Sequence, residues 1–170
     1  MADLTAVNEI VAAKKRIVRA MAWSKKPNRQ DIGWYDFTSA VEDLSTGVVF
    51  EEMYVRALWR PRIDQRPAVL SFGLHLQNER IFAVDVAPFG IHKNVQAGKG
   101  RPYYRMEIGG IHEHTMSADG YGYAEPIEGL TETDVAASWR YFCQRANLEP
   151  SGNFVHPDTA VDAGQLGLLP

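Results

Sequence analysis

Between residues 68 and 77, Ala68, Leu70, Phe72, Leu74 and Leu76 interleave with Val69, Ser71, Gly73, His75 and Gln77. A period of two is the period of a strand, so the larger apolar groups share one face, and that face is core. Asn78 and Glu79 then supply a tight turn into a second run, residues 81–86, which completes a hairpin. A chain built around such a unit needs more strands or a helix to cover the apolar face.

Both are legible. Residues 34–42 and 48–59 are rich in aromatic and β-branched side chains and flank Ser45-Thr46-Gly47, which predicts an earlier hairpin. Tyr104, Met106 and Ile108 alternate with Tyr103, Arg105 and Glu107 in a further strand, which continues past Gly109-Gly110. Val7, Ile10, Val11, Ile17, Val18 and Met21 recur at helical spacing and predict an amphipathic helix over residues 4–22. Thr131 and Asp134 suggest a variant capping box for a last helix, striped by Val135, Trp139, Phe142, Cys143 and Ala146. The expected fold class is α+β: a curved antiparallel β-sheet of hairpins flanked by an N-terminal and a C-terminal helix. One domain spans residues 1–150, with a basic helix at 1–26, the sheet at 32–127 and a helix at 131–147, and residues 151–170 form a loosely held tail.

Composition narrows the class. A 170-residue chain with 45% hydrophobic residues can bury one core, and no apolar run is long enough to cross a membrane as a helix. With no signal-peptide pattern and a single cysteine, Cys143, a soluble cytoplasmic protein is expected. The net charge of −3 hides a basic start, since residues 1–30 hold seven basic side chains against two acidic ones. Lys14, Lys15, Arg16 and Arg19 would line the first helix, and Arg56, Arg60, Arg62 and Arg66, with Trp59 among them, form a second basic group. Together they offer a surface for nucleic acid or a partner, or else a solvated face.

Three of the five histidines, His92, His112 and His114, fall within 23 residues. On a strand His112 and His114 project from one face, roughly 7 Å apart, and Glu113 from the other. Asp85, Asn94, Arg105 and Tyr121 are the candidate supporting residues: a carboxylate to orient an imidazole, an amide and a guanidinium for a phosphate, and a ring or hydroxyl.

The order Asp85, His92-Lys93-Asn94, His112-Glu113-His114, Asp119-Gly120-Tyr121-Gly122-Tyr123-Ala124-Glu125-Pro126, then a helix closing on Tyr141-Phe142-Cys143-Gln144-Arg145-Ala146-Asn147, resembles a family of small bacterial and phage proteins related to TumE-like toxins of toxin-antitoxin modules. The resemblance covers about residues 32–148. Ala83 stands where that family tends to carry a basic residue, Ile111 where it has proline, Asp119 where it has glutamate and Tyr123 where it has tryptophan. The resemblance implies a toxin-like or phage conflict-system protein, an endoribonuclease, and an antitoxin or defence-system protein as partner.

The residues alone leave three readings open. His112 and His114, with His92, can act as base and acid in RNA cleavage, where the 2′-hydroxyl is the nucleophile. His92, His112 and His114 can instead hold a transition metal of a metal-dependent hydrolase. Or the histidines are structural, in a non-enzymatic inhibitor that binds a larger protein or nucleoprotein.

Overall fold

The computed structural model describes residues 3–27 and 33–159, with 88, 89 and 121 described by backbone alone. Helix α1 (Leu4–Ala12) leads into β1 (Lys15–Ile17), β2 (Ser24–Lys25), β3 (Tyr35–Asp43), β4 (Val49–Arg60), β5 (Val69–Leu76), β6 (Glu79–Lys93), β7 (Glu107–Ser117) and β8 (Gly120–Pro126). Helix α2 (Val135–Arg145) and β9 (Leu148–Glu149) follow. The strands form one open sheet in the order β8-β7-β6-β5-β4-β3-β1-β9, with β2 also paired to β3. Every pairing is antiparallel except β1 with β9. The α+β class and the antiparallel sheet flanked by a helix from each end of the chain therefore stand, and no helix among the described residues is long and apolar enough to cross a membrane.

The hairpins form where the turn chemistry allows. Gln77 and Asn78 both have positive φ, 51° and 64°, the backbone a two-residue turn needs to match strand twist. Asp43 Oδ1 accepts from the amides of Ser45 and Thr46, closing the β3–β4 turn. The expected core face of β5 is buried: Leu70, Phe72 and Leu74 lie under α2, where Phe72 meets Trp139 at 5.1 Å and Phe142 at 5.8 Å between ring centroids. Cys143 sits in the same layer, and burial pushes its thiol up to about 12, so it is an inert core residue. The cap of α2 is Asp134, which accepts from the Ala137 amide at 2.8 Å, so the helix starts later than the capping box at Thr131 predicted.

The N-terminal basic helix is corrected. Helix α1 ends at Ala12, and residues 15–17 are a strand. Lys15 is fully buried, and its Nζ turns back to donate to the carbonyls of Ile10, Val11 and Ala13 at 2.6–2.9 Å. These are carbonyls that a helix end leaves unsatisfied, so the side chain caps α1 and stops it. Burial lowers the Lys15 amine to about 8. Lys14, Arg16 and Arg19 are exposed, but Arg16 is bound to Glu42 through a 2.7 Å hydrogen bond, and no helical stripe of positive charge exists here.

Two further expectations change. Residues 151–159 are held in place: the Trp23 indole donates to the Val155 carbonyl at 2.9 Å, and Phe154 packs on Trp139. Residues 160–170 lie outside the described residues. Residues 97–105 are turns and not the start of a strand, and they are clamped by Asp119, whose carboxylate accepts from the amides of Gly98 and Lys99 at 2.8 and 2.9 Å. Gly98 has φ of +84°, and a Cβ there would stand 1.9 Å from the Tyr123 ring, so only glycine fits this contact.

Candidate metal centre on the outer sheet face

One face of the sheet carries the core and the other carries the histidines, and two bulges decide which residues meet on the second face. The tight turn pairs Leu76 with Glu79, a register that would put Asp85 opposite Leu70 in the core. A bulge between Leu74 and His75 adds one residue and flips the strand, so that Ser71 faces Asp85 and Gly73 faces Ala83. Across the next ladder Asp85 faces His112 and Ala83 faces His114. The second irregularity lies between Ala87 and Ile91, opposite Gly109-Gly110, where Gly110 has φ of +69°. His92 is nine residues beyond Ala83, about 30 Å along a straight strand. Its ring nevertheless lies 4.7 Å from the His114 ring, so the bulge folds the end of the ribbon back over its own outer face.

The result is a compact cluster. The rings of His112 and His114 are 4.8 Å apart, closer than strand spacing alone predicts, and those of His92 and His112 are 6.2 Å apart. His114 Nε2 is 3.0 Å from Asp85 Oδ2, and His112 Nε2 is 4.0 Å from the same oxygen. His112 and His114 are only 4% and 2% exposed. One ligand atom from each of Asp85, His112 and His114 falls within 4.8 Å of the others. Three donors of this kind, nitrogen and oxygen, suit zinc, manganese, nickel or copper.

Electrostatics and hydrogen bonding set the lone pairs. His112 Nδ1 is 2.9 Å from the Gly110 carbonyl, so that nitrogen is the donor and Nε2 faces the cluster with its lone pair. His92 bonds the backbone of Gly122, while its Nε2 is buried without a hydrogen-bond partner. Burial and the neighbouring His114 lower both His112 and His92 from their ordinary value, keeping them neutral at pH 7. Burial works to raise Asp85, but hydrogen bonds from His114 and Ser71 and the charge of Arg80 outweigh it and hold the carboxyl well below the usual range. Ser71 Oγ donates to Asp85 Oδ1 at 2.6 Å, and Arg80 Nη1 reaches both carboxylate oxygens at 3.3 and 3.4 Å.

Of the supporting residues whose side chains are described, only Asp85 joins the cluster. Asn94 is buried, with Oδ1 accepting from the Ala124 amide and Nδ2 donating to the carbonyls of Ala124 and Tyr103, so it ties the loop to β8 and has no capacity left for a phosphate. Arg105 is exposed in a turn, with its guanidinium over the Tyr104 ring. The side chain of Tyr121 lies outside the described residues. Trp59 is a core residue against Tyr35, so it offers no stacking surface; Arg60 lies over Trp34 instead, and Arg62 bonds the Asp64 carbonyl. Glu113, which points to the α2 side, accepts from the Tyr141 hydroxyl at 2.9 Å and from Arg145 at 2.7 and 3.0 Å.

Ser71 and Arg80 were missed at the sequence level. Ser71 sits on the polar positions of β5, but its partner is fixed only by the bulge at Leu74/His75, and nothing in the residue pattern announces that bulge. Searches of protein-family models, of curated proteins and of solved structures find no match to this chain.

Proposed function

We propose that this chain is a metal-dependent hydrolase whose centre is Asp85, His112 and His114, with His92 closing it. The observation that carries the reading is the locked imidazole of His112, whose Nδ1 bonds the Gly110 carbonyl and leaves the Nε2 lone pair for the cluster, with the His92 ring 4.7 Å from that of His114 and its buried Nε2 without a hydrogen-bond partner. Ligating histidines are oriented in this way by a second hydrogen bond, which fixes the tautomer and raises ligand basicity. A bound divalent ion would polarise a substrate oxygen and supply a nucleophilic water at neutral pH. Ser71 and Arg80 hold Asp85 in its charged form and fix its orientation.

Metal-free acid and base cleavage by His112 and His114 is less well supported. A general acid must carry a proton at working pH, and burial lowers His112 from its ordinary value, which disfavours the protonated ring. The resemblance to TumE-like toxins makes RNA a candidate substrate of the metal centre, and a toxin-like or phage conflict role belongs to the same proposal.

The test is metal stoichiometry. Chelator-stripped protein is titrated with zinc and with manganese, and bound metal is measured by elemental mass spectrometry beside Asp85→Ala, His114→Ala and His156→Ala. One ion per chain, lost in the first two variants and kept in the third, is expected. A wild-type chain that binds neither ion, or variants that bind as well as wild type, would overturn the reading.

A further inference from the structure

Beside the centre, on the same outer face, a pocket of about 100 Å³ is lined by Arg56, Leu58, Ser71, Gly73, His75 and Arg80. Register explains its composition. Arg56 on β4 faces Gly73 on β5, Gly73 faces Ala83 on β6, and Ala83 faces His114 on β7. Two residues with no side chain or a single methyl therefore separate an arginine from a histidine of the centre, across three strand spacings or roughly 14 Å. Ser71 and Arg80 belong to both places: they line the pocket and they bond Asp85.

Its polar groups are arranged for an absent acceptor. Arg56 Nε and His75 Nδ1 are buried with no hydrogen-bond partner. The Arg56 guanidinium otherwise reaches Asp36 only at 3.5 Å. A buried N–H left unsatisfied is costly, and the Arg56 Nε–H belongs to a residue that lines this small space. Gly73 keeps that space open, because a Cβ there would stand 2.9 Å from His75 Nε2 and 3.3 Å from Arg80 Cδ. The His75 ring is itself fixed by stacking on Tyr54, 4.8 Å between centroids and 5° from parallel.

We infer that this pocket binds a phosphoryl group, and that the substrate of the neighbouring centre is a phosphate ester. A phosphoryl group carries several charged acceptor oxygens in a volume that the pocket accommodates, and guanidinium groups bind it through charge-assisted, often bidentate hydrogen bonds. Arg56 and Arg80 supply the positive charge, and the His75 ring lines the same space, while the Ser71 hydroxyl spends its proton on Asp85. What the bound group is for rests on the metal-centre reading; the pocket itself rests on its own residues.

The test uses inorganic phosphate as the probe, titrated into the full chain, metal-free and zinc-loaded, by calorimetry and by following the His75 ring signals in NMR. Wild type, Arg56→Gln, Arg56→Lys and Gly73→Ala are compared, with circular dichroism reporting that each is folded. The expected result is saturable one-to-one binding, weakened at least tenfold by Arg56→Gln and by Gly73→Ala, partly restored by Arg56→Lys, with His75 signals shifting in wild type. Absence of saturable binding in both metal states, or equal affinity in all four proteins, overturns the inference. Phosphate binding that depends on Arg56 in a protein that takes up no zinc would sustain the pocket while removing the metal-centre reading.

Discussion

The Ser71 hydroxyl donates to the Asp85 carboxylate at 2.6 Å across β5 and β6, and it does so because one extra residue on β6, Ile81, opposite the Leu74–His75 step, turns Asp85 out of the core. The contact is therefore a product of register, and it links the pocket on β4 and β5 to the imidazoles on β7. Ser71→Ala removes the hydroxyl while keeping the strand. Loss of a group that orients a ligand lowers metal affinity about 10–100-fold, with stability changed by only about 1 kcal/mol. Zinc titration of chelator-stripped variant and wild type checks this, and equal affinities would count against Ser71 as an orienting residue.

Stability should fall as the solution is acidified from neutral pH. Burial and the charges of Arg80 and Arg56 lower His75 from 6.5 to about 4, and His92 and His112 are lowered as well. The unfolded chain then takes up protons before the folded one, so stability is complete above 6.5 and declines between 6.5 and about 4. Asp85 loses its own contribution only at still more acidic pH. Melting temperatures of metal-free protein at pH 7.5, 5.5 and 4.5 should decrease in that order, and His75→Gln should flatten the trend.

Glu113 joins the sheet to α2. Its carboxylate is nearly buried and bonded by Tyr141 and by both sides of the Arg145 fork. Charge-assisted hydrogen bonds of this kind contribute about 1.5–3 kcal/mol, and Glu113→Gln leaves Arg145 without its counter-charge. A loss of about 2–3 kcal/mol in urea unfolding is expected, with zinc binding unchanged because Glu113 faces away from the histidines.

Lys15→Met keeps the buried stem of the side chain and removes the ammonium. Three carbonyls at the end of α1 then lose their donor, at a cost of about 1–3 kcal/mol. Hydrogen exchange of the amides in residues 7–13 should accelerate more than exchange in α2. Uniform acceleration would mean that Lys15 acts on the whole fold and not as a cap.

How far the sequence carries can be argued from particular residues. Hairpins were legible wherever turn chemistry and period agreed, as at Ser45-Thr46-Gly47 and at Asn78, where the turn falls on Gln77-Asn78, one residue earlier than Asn78-Glu79, and so was the face of β5 that carries Phe72. His112 and His114 on one face follow from the period of a strand alone. The placement of His92 and Asp85 with them does not, because both depend on irregularities of the ladder, one extra residue before Asp85 and three before His92, which leave no compositional mark. The N-terminal helix was overextended for a related reason: Ile17 and Met21 fit a helical stripe as well as they fit the buried face of β1 and the segment after it, and only tertiary pairing with β3 and β9 decides. Lys15 looked like surface charge because nothing local reveals that its amine closes a helix.

The position of β1 carries a temporal consequence. The three residues of β1 lie between β3 and β9, and among the described strands β1 is the first in sequence and β9 the last. During synthesis, β1 can meet β3 early, but its other edge stays open until residues 148–149 have emerged from the ribosome. That edge is thus unprotected while all the intervening strands are made, the period in which a chaperone or a second nascent copy could most readily pair with it.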